Sequence, residues 1–145
     1  AAEFGAIVTH SDERKGKTDF YDGCYERYAS TTALVKKAME YAPSLDNGRK
    51  IFEQIDNPHV MDILDAWIDE IMMGLATLTH IFNPSCIIVG GGIMVQPLVI
   101  EKIHQKMDQF IMPSFAHVKI LPAELGNSAG LLGANHLAVK LFNNN

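Results

Sequence analysis

Asn83-Pro84-Ser85-Cys86-Ile87-Ile88-Val89-Gly90-Gly91-Gly92 is the stretch that decides the fold. Asn-Pro stops a helix, Cys86–Val89 is an apolar run of strand length, and three glycines precede the next helical pattern. A short apolar run bounded by breakers is the pattern of a parallel strand covered on both faces. Glycines at its carboxyl end leave no Cβ to obstruct a ligand and let backbone N–H groups approach a phosphate. Ligands of open α/β sheets gather at strand carboxyl ends, so Gly90, Gly91 and Gly92 form the first candidate nucleotide site. A plain tight turn has the same local sequence, so the flanking segments must separate the two readings.

Upstream lies the longest helical pattern. Asn57-Pro58 supplies an N-cap with proline in the first turn, and the helix runs to about Phe82. Its apolar stripe is Val60, Ile63, Leu64, Trp67, Ile68, Ile71, Met72, Leu75, Leu78 and Phe82, with Asp62, Asp65, Asp69 and Glu70 off the stripe. This is a structural helix, and Met72-Met73 reads as core or near-core packing. Gly48–Ile55 reads as a short helix. From Tyr25 to Tyr41 one helix is expected, carrying Tyr28, Ala29, Thr32, Ala33, Val35 and Ala38, and ended by Pro43 and Asp46-Asn47-Gly48. Before it, Ala6–Thr9 is a short apolar run and His10–Asp19 a polar, solvated and mobile loop. Downstream, Pro97–Ile111 is amphipathic and His117–Leu121 is a second strand, closing a β–α–β unit. Ser128 to about Phe142 forms the last helix, and Asn143–Asn145 a frayed tail. The class is α/β, helix-rich with a small sheet, with residues 1–145 as a single domain and no internal repeat.

A chain of 145 residues can bury a sizeable core, and 48% hydrophobic with 20% charged residues is ordinary for a soluble globular protein. The net charge of −5 argues against a broad nucleic-acid footprint, and no direct nucleic-acid contact is expected. Cys24 and Cys86 are far apart and form no CxxC pair, which points to a reducing, cytoplasmic compartment without a disulfide framework. No apolar run reaches membrane-spanning length. The first residue is Ala1 rather than Met, so a fragment or processed product is expected.

Two carboxylates stand near glycine turns. Glu3 lies in Ala2-Glu3-Phe4-Gly5, and Glu26 follows Gly23-Cys24-Tyr25 at a loop-to-helix junction. Projecting into one cleft, the pair could accept hydrogen bonds from the vicinal hydroxyls of a sugar. The alternative makes Glu26 an ordinary helix N-terminal charge and Glu3 a surface residue. Leu125-Gly126-Asn127-Ser128-Ala129-Gly130-Leu131-Leu132-Gly133-Ala134 offers Asn127 or Ser128 as a cap for the last helix. Its small residues would let the first turns approach a flat ligand, or simply a neighbouring sheet. His10, His59, His80, His104, His117 and His136 form no HxxxH or HExxH pair, so surface and capping roles are expected rather than metal ligation. No GxSxG elbow is present.

The order of these pieces resembles the C-terminal part of the ROK family of sugar kinases and sugar-responsive repressors. In that family a G-E-x-G-H segment precedes a zinc loop, C-x-C-G-x-x-G-C-x-E. A Y-A-S helix, a long helix ending in N-P, a strand, G-G-G and a final G-N-x-A-G-L-x-G-A follow. The counterparts here are Ala2-Glu3-Phe4-Gly5-Ala6, Gly23-Cys24-Tyr25-Glu26, Tyr28-Ala29-Ser30, Asn83-Pro84, Gly90-Gly91-Gly92 and Gly126–Ala134. The resemblance implies a lobe of the actin-like, ribonuclease-H-like ATPase fold. It implies sugar-binding roles for Glu3 and Glu26, and a face toward ATP for Gly90, Gly91, Gly92, Gly130 and Gly133. Family kinases move the γ-phosphoryl of MgATP to a sugar hydroxyl, usually at C6, with an aspartate as base.

Two departures qualify what the resemblance implies. The family histidine falls at Ala6 and the first two cysteines at Lys17 and Asp19, leaving Cys24, so no structural zinc is expected. The loss of that histidine also leaves the sugar preference open. The D-x-G-G-T phosphate loop, the catalytic aspartate and the first strands of this lobe have no counterpart, so no catalytic residue is expected in this chain. Such a piece would be inactive alone, would expose apolar surface, and would need a partner lobe; a homodimer stays open. A ROK-type repressor's sugar-sensing domain is the alternative to a kinase, and a lobe serving mainly as an oligomer interface is the third reading.

Overall fold

The computed structural model describes residues 3–14 and 19–143. Ala2, Lys17 and the last two residues of the tail, which enter the expectations above, lie outside the described residues, as does the side chain of Asn127.

The lobe is organised around a long helix, called α4 here, at Pro58–Phe82. Asn57 caps it by accepting from the His59 N–H at 3.0 Å, and Pro58 sets the first turn. It stops at Asn83, held at φ 42° in the left-handed region that asparagine tolerates. Val60, Leu64, Trp67, Ile68, Ile71, Met72 and Leu75 are buried along one side. Phe82 departs from the expected stripe: it is 67% exposed and its neighbour Ile81 66%, while Thr79 and His80 of the same turn carry the contacts, Thr79 fully buried and His80 edge-on to Phe115. Met72 is buried while Met73 faces out.

The single helix expected from Tyr25 to Tyr41 is instead two, α1 at Glu26–Ala29 and α2 at Thr31–Tyr41. Ser30 is extended at φ −73°, ψ 158°, and its hydroxyl accepts from the Ala33 N–H, so it caps α2. The break frees carbonyls of the preceding turn, and the Trp67 indole N–H donates to Ala29 O at 3.1 Å and Ser30 O at 3.0 Å. Apolar spacing continued across Ser30, but a local side-chain cap and a distant indole compete with the helix there. α3, at Gly48–Phe52, follows with Asn47 as its cap.

β1 (Cys86–Val89) and β2 (Lys119–Pro122) pair in parallel, in register from Cys86↔Lys119 to Val89↔Pro122. α5 (Pro97–Phe110) connects them and lies on α4, where Lys102 bridges to Asp65 at 2.6 Å and Lys106 to Asp69. Residues just before β2 are taken up by a 3-10 turn at Pro113–Phe115, which delays the strand relative to the expected start at His117. Coverage of β1 on both faces is not met. Ile87 and Val89 pack on the core, but Cys86 and Ile88 are exposed, Ile88 to 66%. Helices cover one side of a two-stranded sheet, and the pleat sends alternate residues to the bare side. α6, at Ala129–Asn143, begins after a 3-10 turn at Gly126–Ser128 and has no buried residue. Leu131, Leu137, Leu141 and Phe142 all stand in solvent, which is the exposed apolar surface expected of the chain by itself. Among the described residues no helix is long and apolar enough to cross a membrane.

Tyr25 ties α1's entrance to α4. Its ring covers Gly74, and its hydroxyl donates to Ile71 O at 3.1 Å. Burial, with the Glu70 carboxylate adding to it, pushes this phenol from 10.0 up to about 12. The unfolded chain ionises it near its ordinary value of about 10. Between those values the folded state keeps a proton that the unfolded state has lost. The stabilisation is therefore complete below the unfolded value and is lost as pH rises through the folded one. Tyr25→Phe is expected to flatten the fall in Tm across that alkaline window; thermal melts on either side that fall equally in both proteins would contradict it.

Candidate functional site

The segment before α1 is an arm that folds back on the turn leading into that helix. A 3-10 turn at Phe4–Ala6 starts it; Tyr25 N–H then donates to Ile7 O at 2.8 Å, and Val8 forms an antiparallel bridge with Cys24. Gly23 O accepts from both Thr9 N–H and His10 N–H at 3.0 Å. Gly23 sits at φ 74°, and a Cβ there would run into the His10 carbonyl, so only glycine serves. These ties lay Gly5 against Glu26, so close that a Cβ on Gly5 would be 3.2 Å from Glu26 Oε2.

Glu26 opens α1, is exposed, and walls a pocket of about 420 Å³ with Tyr21, Arg27, Ser30 and Thr32. Glu3 lies just before the 3-10 turn, where its carbonyl accepts from Ala6 N–H at 3.1 Å. The arm thus brings Gly5, two residues after Glu3, against Glu26, and Glu3 is not among the walls of that pocket.

A second cleft, of about 560 Å³, is walled by Thr31, Gly48, Arg49, Phe52, Glu53, Gly92, Ile93 and Gln96. It lies between the start of α3 and the turn after β1. Of the glycines expected to face a nucleotide, Gly92 is in this wall. Gly90 and Gly91 border a narrow crevice with Ala123 and Gly126, and Gly91 takes φ 115°. Gly130 and Gly133 are not brought to either cleft. Both are exposed on α6 with open space where a Cβ would go, so the tight helix–sheet packing expected of them and Ala134 is also absent here. Sequence reasoning missed Arg49, Phe52, Glu53 and Gln96, because α3 and the start of α5 carry no motif that marks a ligand.

Between the two openings stands the N-terminus of α2. Thr31 faces one cleft, and Ser30 and Thr32 the other. Its first N–H groups lack intrahelical partners, and the helix dipole favours an anion there.

Cys24 is fully buried, with its thiol donating to Ala6 O at 3.3 Å and Phe20 O at 3.5 Å. Among the described residues no group of three His, Cys, Asp or Glu side chains could hold a metal ion. The ends of the polar loop are pinned by other means. Arg14 lies over the Phe20 ring at 5.3 Å, and Arg27 pairs with Asp19. Ser11–Glu13 and Asp19 are exposed, as expected of a polar loop, while His10 and Arg14 are half-buried.

A parallel strand pair with a glycine turn at its carboxyl end, helices on one face and a cleft at that turn define one lobe of the actin-like ATPase fold. The ROK family's sequence profile matches residues 1–140, and the chain belongs to the ROK family. It is 32% identical to a glucokinase of Thermotoga maritima, over 77% of this chain and 41% of that protein. It is 29% identical to the xylose repressor of Bacillus spizizenii, over 83% of this chain and 32% of the repressor. The solved structure of a ROK family glucokinase from Streptomyces griseus in complex with glucose and AMPPNP superposes with a TM-score of 0.78 at 31% identity, over 94% of this chain and 51% of that one. The chain thus spans less than half the length of these curated relatives.

Proposed function

We propose that this chain is the sugar- and nucleotide-facing lobe of an ATP-dependent sugar kinase of carbohydrate metabolism, acting in the cytoplasm. The observation that carries the reading is the pair of clefts on either side of the α2 N-terminus, one walled by Glu26 and the other by Gly92. Glu26, with Glu3 on the adjoining arm, accepts hydrogen bonds from sugar hydroxyls. The nucleotide base lies beside Phe52 and Gln96, and its phosphates pass the N–H groups of Thr31 and Thr32, where an anion is favoured. The γ-phosphoryl of MgATP goes to a sugar hydroxyl, the 6-OH of a hexose or N-acetylhexosamine. The glucose and AMPPNP bound to the Streptomyces griseus glucokinase support this assignment.

No catalytic residue is assigned to this chain. Phosphoryl transfer depends on positioned charge and a base, which a complementary lobe supplies, so the lobe alone is inactive. Among the described residues no group of three His, Cys, Asp or Glu side chains is gathered that could hold zinc, and Mg would come with ATP on its phosphates. Likeness to a xylose repressor supports a second reading, in which the same clefts serve a sugar-sensing domain.

The test is ADP release with MgATP by the protein as its gene encodes it, across glucose, mannose, fructose, N-acetylmannosamine, N-acetylglucosamine and β-glucosides, with this lobe alongside. Turnover by the encoded protein and none by the lobe is expected. Glu26→Gln should raise the sugar KM roughly tenfold to a hundredfold, the cost of weakening charge-assisted hydrogen bonds. Sugar binding without turnover favours the sensor reading, and an unchanged sugar KM in the variant removes Glu26 from the site.

A further inference from the structure

We propose that His10 is a positioning residue for sugar binding, the clamp that holds the Glu3–Thr9 arm, and through it Gly5 against Glu26. The inference rests on the sugar-site reading above.

The ties between the arm and the rest of the lobe are concentrated on the Phe20–Tyr25 turn. They are the Ile7, Val8, Thr9 and His10 backbone contacts, the Cys24 thiol on Ala6 O, and the Phe4–Tyr25 edge contact with ring centres 5.7 Å apart. They fix the arm to the turn, and apart from Gly5 against Glu26 they do not reach the helices behind it. His10 does both. Its ring stacks on Tyr28 of α1, centres 3.7 Å apart and planes 14° from parallel. Its Nε2 lies 3.4 Å from Glu70 Oε1 of α4, while Nδ1 meets the Thr9 hydroxyl at 3.0 Å.

The Glu70 side supplies an independent reason. Its second oxygen, Oε2, is buried and has no hydrogen-bond partner. Arg27, Lys36 and Lys37 wall the same pocket as Glu70, but it is the His10 ring that lies against Oε1, so its removal takes a polar partner from this half-buried carboxylate. The imidazole ring also gains from lying flat on the Tyr28 ring face. Histidine therefore satisfies α1 and α4 with one side chain, and the arm that begins at Glu3 ends in that side chain. Nothing in this cluster walls the Gly92 cleft, which lies on the other side of Ser30.

The experiment compares sugar and ATP KM values in the encoded protein for His10→Ala, His10→Phe and the pair His10→Phe with Glu70→Gln. Where the protein binds sugar without turnover, sugar Kd replaces KM. His10→Ala is expected to raise the sugar value about tenfold, the equivalent of losing one half-buried polar contact and one ring stack, with the ATP value unchanged. The double variant keeps a flat ring on Tyr28 and removes the carboxylate that has lost its partner. It should return the sugar value to within about threefold of the parent. Equal losses for sugar and ATP, or no rescue in the double variant, would show a general stability effect and overturn the clamp. If the parent turns over and binds sugar but His10→Ala leaves the sugar value unmoved, the clamp fails and the sugar-site reading stands. A parent that binds no sugar overturns both.

Discussion

Trp67→Ala is expected to lower the unfolding free energy by about 3–5 kcal/mol, the range for truncating a large buried aromatic. Trp67 is 2% exposed and sits mid-way along α4, where α1 and α2 meet it. Two losses combine. The indole vacates a volume that rigid helices on both sides cannot close. The Ala29 and Ser30 carbonyls also lose their shared N–H donor at the helix break. Trp67→Phe separates these, keeping most of the packing while taking the donor from Ala29 O, at about 1–3 kcal/mol; Ser30 O still accepts from the Ala33 and Leu34 N–H groups. Urea denaturation followed by circular dichroism measures both, since Trp67 is the one tryptophan and its removal eliminates the fluorescence signal. Equal costs for the two variants would show that the hydrogen bonds, not the volume, hold the break.

Gly74→Ala is expected to cost about 3 kcal/mol, the upper part of the range for overpacking. A Cβ at this position would lie 2.6 Å from the Tyr25 hydroxyl and overlap the ring carbon that bears it. A ring at the end of a side chain can ordinarily swing away. Tyr25 is held at its hydroxyl by Ile71 O and braced by Phe4, so moving it breaks the joint between α1 and α4. The same displacement disturbs the Tyr25 N–H to Ile7 O contact that places the arm. Pairing Gly74→Ala with Tyr25→Leu should be strongly non-additive, because the smaller side chain removes the clash. Additive costs in chemical denaturation would mean that Gly74 matters for a reason other than Tyr25.

Much of the scaffold can be read from the sequence because its signals are local. Asn57-Pro58 and Asn83-Pro84 bracket α4, and Gly90–Gly92 marks the carboxyl end of β1. The break at Ser30 was also written locally, as a serine followed by two threonines, but the apolar spacing on both sides overrode it. Its second support, Trp67, is 37 residues away and has no sequence signature. The fate of α6 is illegible for another reason. Apolar periodicity states that a helix has a face to bury and is silent about what will cover it, and here Leu131 and Phe142 find nothing. At the site, Glu26 and the glycine turn were legible by motif order. Arg49, Phe52 and Gln96 were not, since a cleft wall made from three distant segments exists only after folding. His10 was read as an ordinary surface histidine because Tyr28 and Glu70, which give it a task, belong to two different helices.

The kink at Ser30 has an evolutionary consequence. The proposed acceptor pocket draws its walls from α1 and its approach, and the proposed donor cleft from α3 and the turn after β1. No residue walls both, and they meet only at Ser30–Thr32, where neighbouring residues face opposite openings. Exchanges at Tyr21 or Arg27 can retune one preference while Arg49, Phe52 and Gln96 stay as they are, and the reverse holds equally. A lineage built on this lobe is free to drift toward new sugars without renegotiating its phosphoryl donor, provided the hinge serine stays in place.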